Sequence, residues 1–111
     1  MSYARRDRLQ QLFRDEVALA VRNVKDPGLK GFLTITDLEL SADQKNAKVY
    51  YSILGTQEQR QAADEALHRA APYIRQVLRK RLSMKFVPQF DFIFDDTPRK
   101  AALIDKMLLK I

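Results

Sequence analysis

An α+β fold is predicted by three observations. The chain opens on a helical apolar repeat, continues with two β-rich runs, and then carries a second helical repeat followed by alternating phenylalanines. At 111 residues it fits one domain, 1–111, built on one core. Its 46% hydrophobic content is far above that of a highly charged disordered chain, so it is expected to fold alone.

Over residues 5–24, Leu9, Leu12, Phe13, Val17, Ala20, Val21 and Val24 recur at steps of three and four, one face of an amphipathic helix. Asp26-Pro27-Gly28 ends it, because the residue before a proline leaves the helical region and glycine favours a turn. Residues 32–40 read as a strand whose alternation changes phase. Leu33 and Ile35 share one face and Leu38 and Leu40 the other, which a bulge near Asp37 reconciles. Residues 41–46 form a turn, and 47–54 a second strand with Ala47, Val49, Tyr51 and Ile53 on one side, so a hairpin is expected.

Residues 58–71 place Ala63, Ala66, Leu67 and Ala70 on one helical face, small enough for a neighbouring backbone to lie close. Pro72 interrupts the pattern and Ile74, Val77, Leu78 and Leu82 resume it, which predicts two helices meeting at a kink at Ala70-Ala71-Pro72. Residues 86–94 read as a third strand with Phe90, Phe92 and Phe94 on one face and Pro88 marking an edge or a start. Thr97-Pro98 is a helix-start signal for a short C-terminal helix.

Charge narrows the function. The 20 Lys and Arg against 14 Asp and Glu give a net charge of +6, which favours polyanionic partners. Between Glu65 and Asp91 lie Arg69, Arg75, Arg79, Lys80, Arg81 and Lys85 with no acidic residue among them. On a helical projection Arg79 falls about 40° and Lys80 about 140° from Arg75, so the three share a polar arc. Arg81, at about 240°, falls within the apolar arc and must snorkel or mark the helix end. A solvated face usually mixes signs; this one points to phosphate. Tyr73 is a candidate for stacking on a base, or for the core.

Other chemistries have little support. There is no cysteine, hence no disulfide, thiol nucleophile or thiolate metal site. His68 lies beside the apolar face as an exposed bystander without a catalytic partner. Asp95 and Asp96 precede the Thr97-Pro98 helix start, where negative charge meets the helix dipole, a simpler reading than paired metal ligands. No apolar window long enough for a membrane span or a signal peptide occurs, and no cofactor or metal is expected. Gly28-Leu29-Lys30-Gly31 spells the GxxG loop of KH domains, yet it lies between the first helix and the first strand rather than between two helices, and reads as a turn.

The order α-β-β-α-α-β is that of the type II KH fold. Arg5 and Arg8, Val24-Lys25-Asp26-Pro27, Thr34-Ile35-Thr36, Leu40-Ser41 with Asp43, Ala47-Lys48-Val49-Tyr50, Gly55, Ile74-Arg75, Pro88, Phe92 and Asp95 follow one another nearly end to end, and in their order and spacing the chain resembles the ribosome-binding factor A family. Proline stands at residue 72 where the family's Ala-x-Gly kink has glycine, and Gly28 stands where an arginine is usual. The resemblance implies a cytoplasmic, non-enzymatic factor that binds the free small ribosomal subunit late in assembly. It also implies support of ribosomal RNA processing near the 5′-terminal helix, a role in cold adaptation, and an assembly GTPase as a further partner.

Arg75, Arg79, Lys80, Arg81 and Lys85 are therefore expected to meet RNA phosphates, with Arg5, Arg6 and Arg8 as a second patch, in a monomer. Two rivals follow from the same residues: a basic module docking an acidic protein, and a nuclease using Asp91, Asp95 and Asp96.

Overall fold

The computed structural model describes residues 3–29 and 32–95. Helix α1 spans Tyr3–Arg22, a 3-10 turn Pro27–Leu29, strands β1 Phe32–Leu40 and β2 Asn46–Leu54, helix α2 Gln57–Leu82, and strand β3 Gln89–Phe94. The strands form one mixed sheet in the order β1-β2-β3, antiparallel between the first two and parallel between the last two. Buried side chains from α1, α2 and all three strands form one apolar cluster, centred on residues such as Phe13, Val17, Val49, Leu67, Ile74 and Leu78. The short C-terminal helix expected after Thr97-Pro98 lies outside the described residues, as does Asp96.

The β1–β2 register explains the phase change in β1. Ile35 faces Tyr51 and Asp37 faces Tyr50, leaving Thr36 as the extra residue of a bulge. After it Leu38 and Leu40 lie opposite Val49 and Ala47 and are buried with Ile35. The Thr36 hydroxyl, freed from the ladder, donates to Asp95 Oδ2 at 3.0 Å, tying β1 to the end of β3. Asp95 thus serves a structural bond rather than standing open as half of a carboxylate pair.

Two expectations are corrected. The segment around Pro72 is one α-helix of 26 residues, not two helices, with Pro72 inside it. Proline withholds the N–H that would reach the carbonyl of His68, but both residues are exposed, so that acceptor is not shut away from solvent and the helix continues. The third strand begins at Gln89 rather than at residue 86, because Pro88 cannot donate to a ladder and is buried ahead of the strand. Met84 to Val87 are left in a loop.

Helix α2 is closed at both ends. The Thr56 hydroxyl accepts from Gln59 N at 3.2 Å and the Gln59 side chain accepts from Thr56 N at 2.8 Å, a reciprocal capping box. At the other end Ser83 adopts a left-handed conformation with φ 52°, and Met84 N donates to Arg79 O at 3.2 Å. That turn aims the 84–88 loop back toward α1.

Candidate nucleic-acid interface

The N-terminal half of α1 is fastened to the end of β1. Leu40 N donates to Gln10 Oε1 at 2.8 Å, while Arg6 Nη2 donates to the Leu40 carbonyl. This brings the arginines of α1 next to the β1–β2 turn, itself ordered by Asp43, whose carboxylate accepts from Ser41 Oγ at 2.7 Å and from Lys45 N at 3.0 Å. Those two bonds, the hydroxyl's foremost, hold the Asp43 carboxyl below the ordinary range. Lys45 O in turn accepts from Gln89 N at 2.9 Å, joining the turn to the start of β3.

Between these parts runs a groove. One section, of about 510 Å³, is lined by Arg5, Arg6, Arg8, Leu12 and their neighbours. The next, of about 520 Å³, is lined by Arg75, Asp43, Lys45 and Phe86, and shares Leu9, Gln44 and Met84 with the first. Arg75 and the α1 arginines, far apart in sequence, therefore face one cleft. Arg75 is positioned by Nε donating to the Val87 carbonyl at 2.9 Å, which satisfies one donor of the guanidinium.

The basic residues predicted from sequence divide into two sets. The side chains of Arg5, Arg8, Arg79 and Lys80 are exposed and make no hydrogen bond or ion pair among the described residues. Lys85 lies with Nζ 5.7 Å from the Phe86 ring centroid. Arg6 is engaged by Leu40, and Arg81 is paired with Glu16 of α1. The apolar-arc position of Arg81 is resolved in this way: it reaches along the α1–α2 seam to a carboxylate, one residue before the helix ends. Arg69 likewise pairs with Asp26 at 3.2 Å. The N–H of Gly28, and then Arg69, hold the Asp26 carboxyl low. A segment without acids in sequence thus meets two carboxylates in space. Arg79 and Lys80 also sit in the last turn of α2, where cations complement the helix dipole, so part of their value is structural.

Sequence reasoning missed Phe86. The sequence reading places it at the start of the third strand, 86–94; the structure leaves it in the loop, 78% exposed. The signal available was Pro88, which separates it from the ladder. Tyr73 is 56% exposed on α2 and does not line the groove.

Asp64 is shared by His68, whose Nδ1 lies 3.5 Å from its Oδ2, and by Tyr51. His68 is exposed, its Nδ1 2.7 Å from the Asp64 carbonyl. Tyr51 is buried and donates to Asp64 Oδ1 at 2.6 Å; burial first, then this carboxylate, push its pKa well up. Among the described residues no group of His, Asp and Glu is arranged to hold a metal, and no helix is long and apolar enough to cross a membrane.

A three-stranded sheet backed by two helices, with a basic groove at one end, defines a KH-like α+β domain. Comparison with known proteins makes the assignment more specific. The ribosome-binding factor A family matches residues 5–108, and the chain belongs to that family. It is 42% identical over 110 residues to ribosome-binding factor A of Thermodesulfovibrio yellowstonii, covering 98% of this chain and 92% of the relative. The crystal structure of ribosome-binding factor A from Thermus thermophilus superposes with a TM-score of 0.70 at 26% identity, over 79% of this chain and 92% of that one. A homology model of the Thermus thermophilus factor, fitted into a cryo-EM map of a 30S complex, gives a TM-score of 0.67 at 26% identity, with coverage of 79% and 92%.

Proposed function

We propose that this protein is a cytoplasmic, non-enzymatic assembly factor that binds the free small ribosomal subunit and supports late maturation and processing of its ribosomal RNA near the 5′-terminal helix. The observation that carries the reading is the convergence of Arg75 of α2, Lys45 of the β1–β2 turn and the arginines of α1 on one groove in a chain of net charge +6, with Arg79 and Lys80 exposed outside its lining. The placement of a Thermus relative in a 30S complex supports it. Arg75, Arg79, Lys80, Lys85, Arg5 and Arg8 supply phosphate contacts directly. Arg6 and Arg81 contribute field while bonded within the protein. The factor acts as a single-domain monomer, and its release is coupled to an assembly GTPase.

The test is co-sedimentation with free small subunits. Arg79→Glu combined with Lys80→Glu is expected to weaken association about tenfold or more, since two phosphate contacts become repulsions. Both side chains are exposed, so the fold should be kept, while two carboxylates in the last turn of α2 oppose the helix dipole and lower stability by about 1–2 kcal/mol. Unchanged co-sedimentation overturns the reading.

A further inference from the structure

We infer that Phe86 is a stacking platform for an unpaired RNA base, and that the groove beside it takes the adjoining sugar-phosphate. The inference rests on the RNA-binding reading above and names the nucleotide state that the site selects. Phe86 is the most exposed of the large apolar side chains among the described residues, at 78%. Leaving a phenylalanine in water forgoes the gain of burying it, and here the ring is held out on a loop fixed by the Ser83 turn and by Arg75 on Val87. One face of the ring is taken by Lys85 Nζ at 5.7 Å, which leaves the other for a flat partner.

The surroundings are anion-selective. Arg5, Arg8, Lys45 and Arg75 line the groove against one carboxylate, Asp43, which is already occupied by Ser41 and the Lys45 N–H. A planar apolar surface with cations on its flank matches a nucleotide, base on ring and phosphate on ammonium. In a duplex the bases are stacked on one another and offer no face to a side chain, so the site favours single-stranded or looped RNA.

The chain contains no tryptophan, so Phe86→Trp gives a single indole reporter. Four probes are titrated against the full chain: a short oligoadenylate, a blunt RNA duplex of equal phosphate count, an abasic oligonucleotide and polyglutamate. Oligoadenylate should quench Phe86→Trp fluorescence, whereas duplex and abasic strands should leave it nearly unchanged. Phe86→Ala should weaken oligoadenylate binding roughly 5- to 100-fold and duplex binding less than about twofold, with the salt slope retained. Equal binding of oligoadenylate by parent and Phe86→Ala overturns the inference, as does an equal loss for all RNA probes. Quenching by polyglutamate reassigns the groove to an acidic peptide and overturns it too. So do nuclear Overhauser contacts, in the free protein, between the Phe86 ring and residues beyond 95. If small subunits still co-sediment in any of these cases, only the stacking role fails. Loss of co-sedimentation by the parent chain would remove the assembly-factor reading itself.

Discussion

Gly28 shows how one atom constrains this fold. A Cβ built there would lie 2.6 Å from the Ala62 carbonyl oxygen and 3.0 Å from Ala66 Cβ, both on α2. The first contact is with helix backbone and cannot be relieved by a rotamer change. The small residues Ala62 and Ala66 and the missing side chain at 28 together let the turn Pro27–Leu29 lie against α2, and the Asp26 carboxylate then reaches Arg69. Gly28→Ala is expected to lower stability by about 1–3 kcal/mol, the usual cost of overpacking a fitted contact. Urea unfolding checks this, and a gain in stability would show that the turn is free to move off the helix. The arginine that the family resemblance leads one to expect at 28 is sterically incompatible with this turn unless the turn shifts.

At the scale of elements, α2 is where local propensity and observed structure differ most. Proline in a helix interior costs about 3 kcal/mol relative to alanine, yet the helix passes through residue 72. Burial of Ala63, Ala66, Leu67, Ala70, Ile74 and Leu78 along its length holds it together, a tertiary effect that spacing alone does not weigh against a breaker. Pro72→Ala should therefore stabilise the protein by about 2 kcal/mol, the helical gain less the entropy that proline removes from the unfolded chain. Pro72→Gly should gain less, about 1 kcal/mol or below, because glycine is itself a poor helix residue. Urea midpoints rank the three; a parent more stable than Pro72→Ala would mean that the helix is divided at this point in solution. The sheet, by contrast, was legible in detail. Alternation in β2 and β3 and the phase slip in β1 are direct consequences of one buried face, so the bulge near Asp37 was readable from four aliphatic residues. The groove was less legible. Its walls come from residues 5–13, 43–45 and 75–88, and nothing in their sequence separation indicates that Arg6 and Gln10 dock on Leu40.

On the whole molecule, the positive field is set by which cations remain unneutralised rather than by how many there are. Glu16 and Asp26 each withdraw one arginine of the basic segment, Arg81 and Arg69 respectively. Arg5, Arg8, Arg79, Lys80 and Lys85 are left exposed with no carboxylate partner among the described residues. With Arg75 these make the six direct phosphate contacts proposed above, which correspond to a slope of log affinity against log salt of about −4.2 to −5.4, the shallower figure for single strands. An interface with an acidic protein of ordinary size depends less steeply on salt, so the slope itself separates the two readings. Glu16→Gln sharpens the comparison. It removes the charge that holds Arg81 without adding a cation, and the isosteric amide keeps the packing of residue 16, whose side chain is only 17% exposed. If Arg81 then swings to an RNA phosphate, the slope should steepen by about 0.7–0.9 and affinity at low salt should rise, as measured by filter binding to ribosomal RNA fragments. An unchanged slope with raised affinity would mean that Arg81 acts only through the general field and makes no phosphate contact.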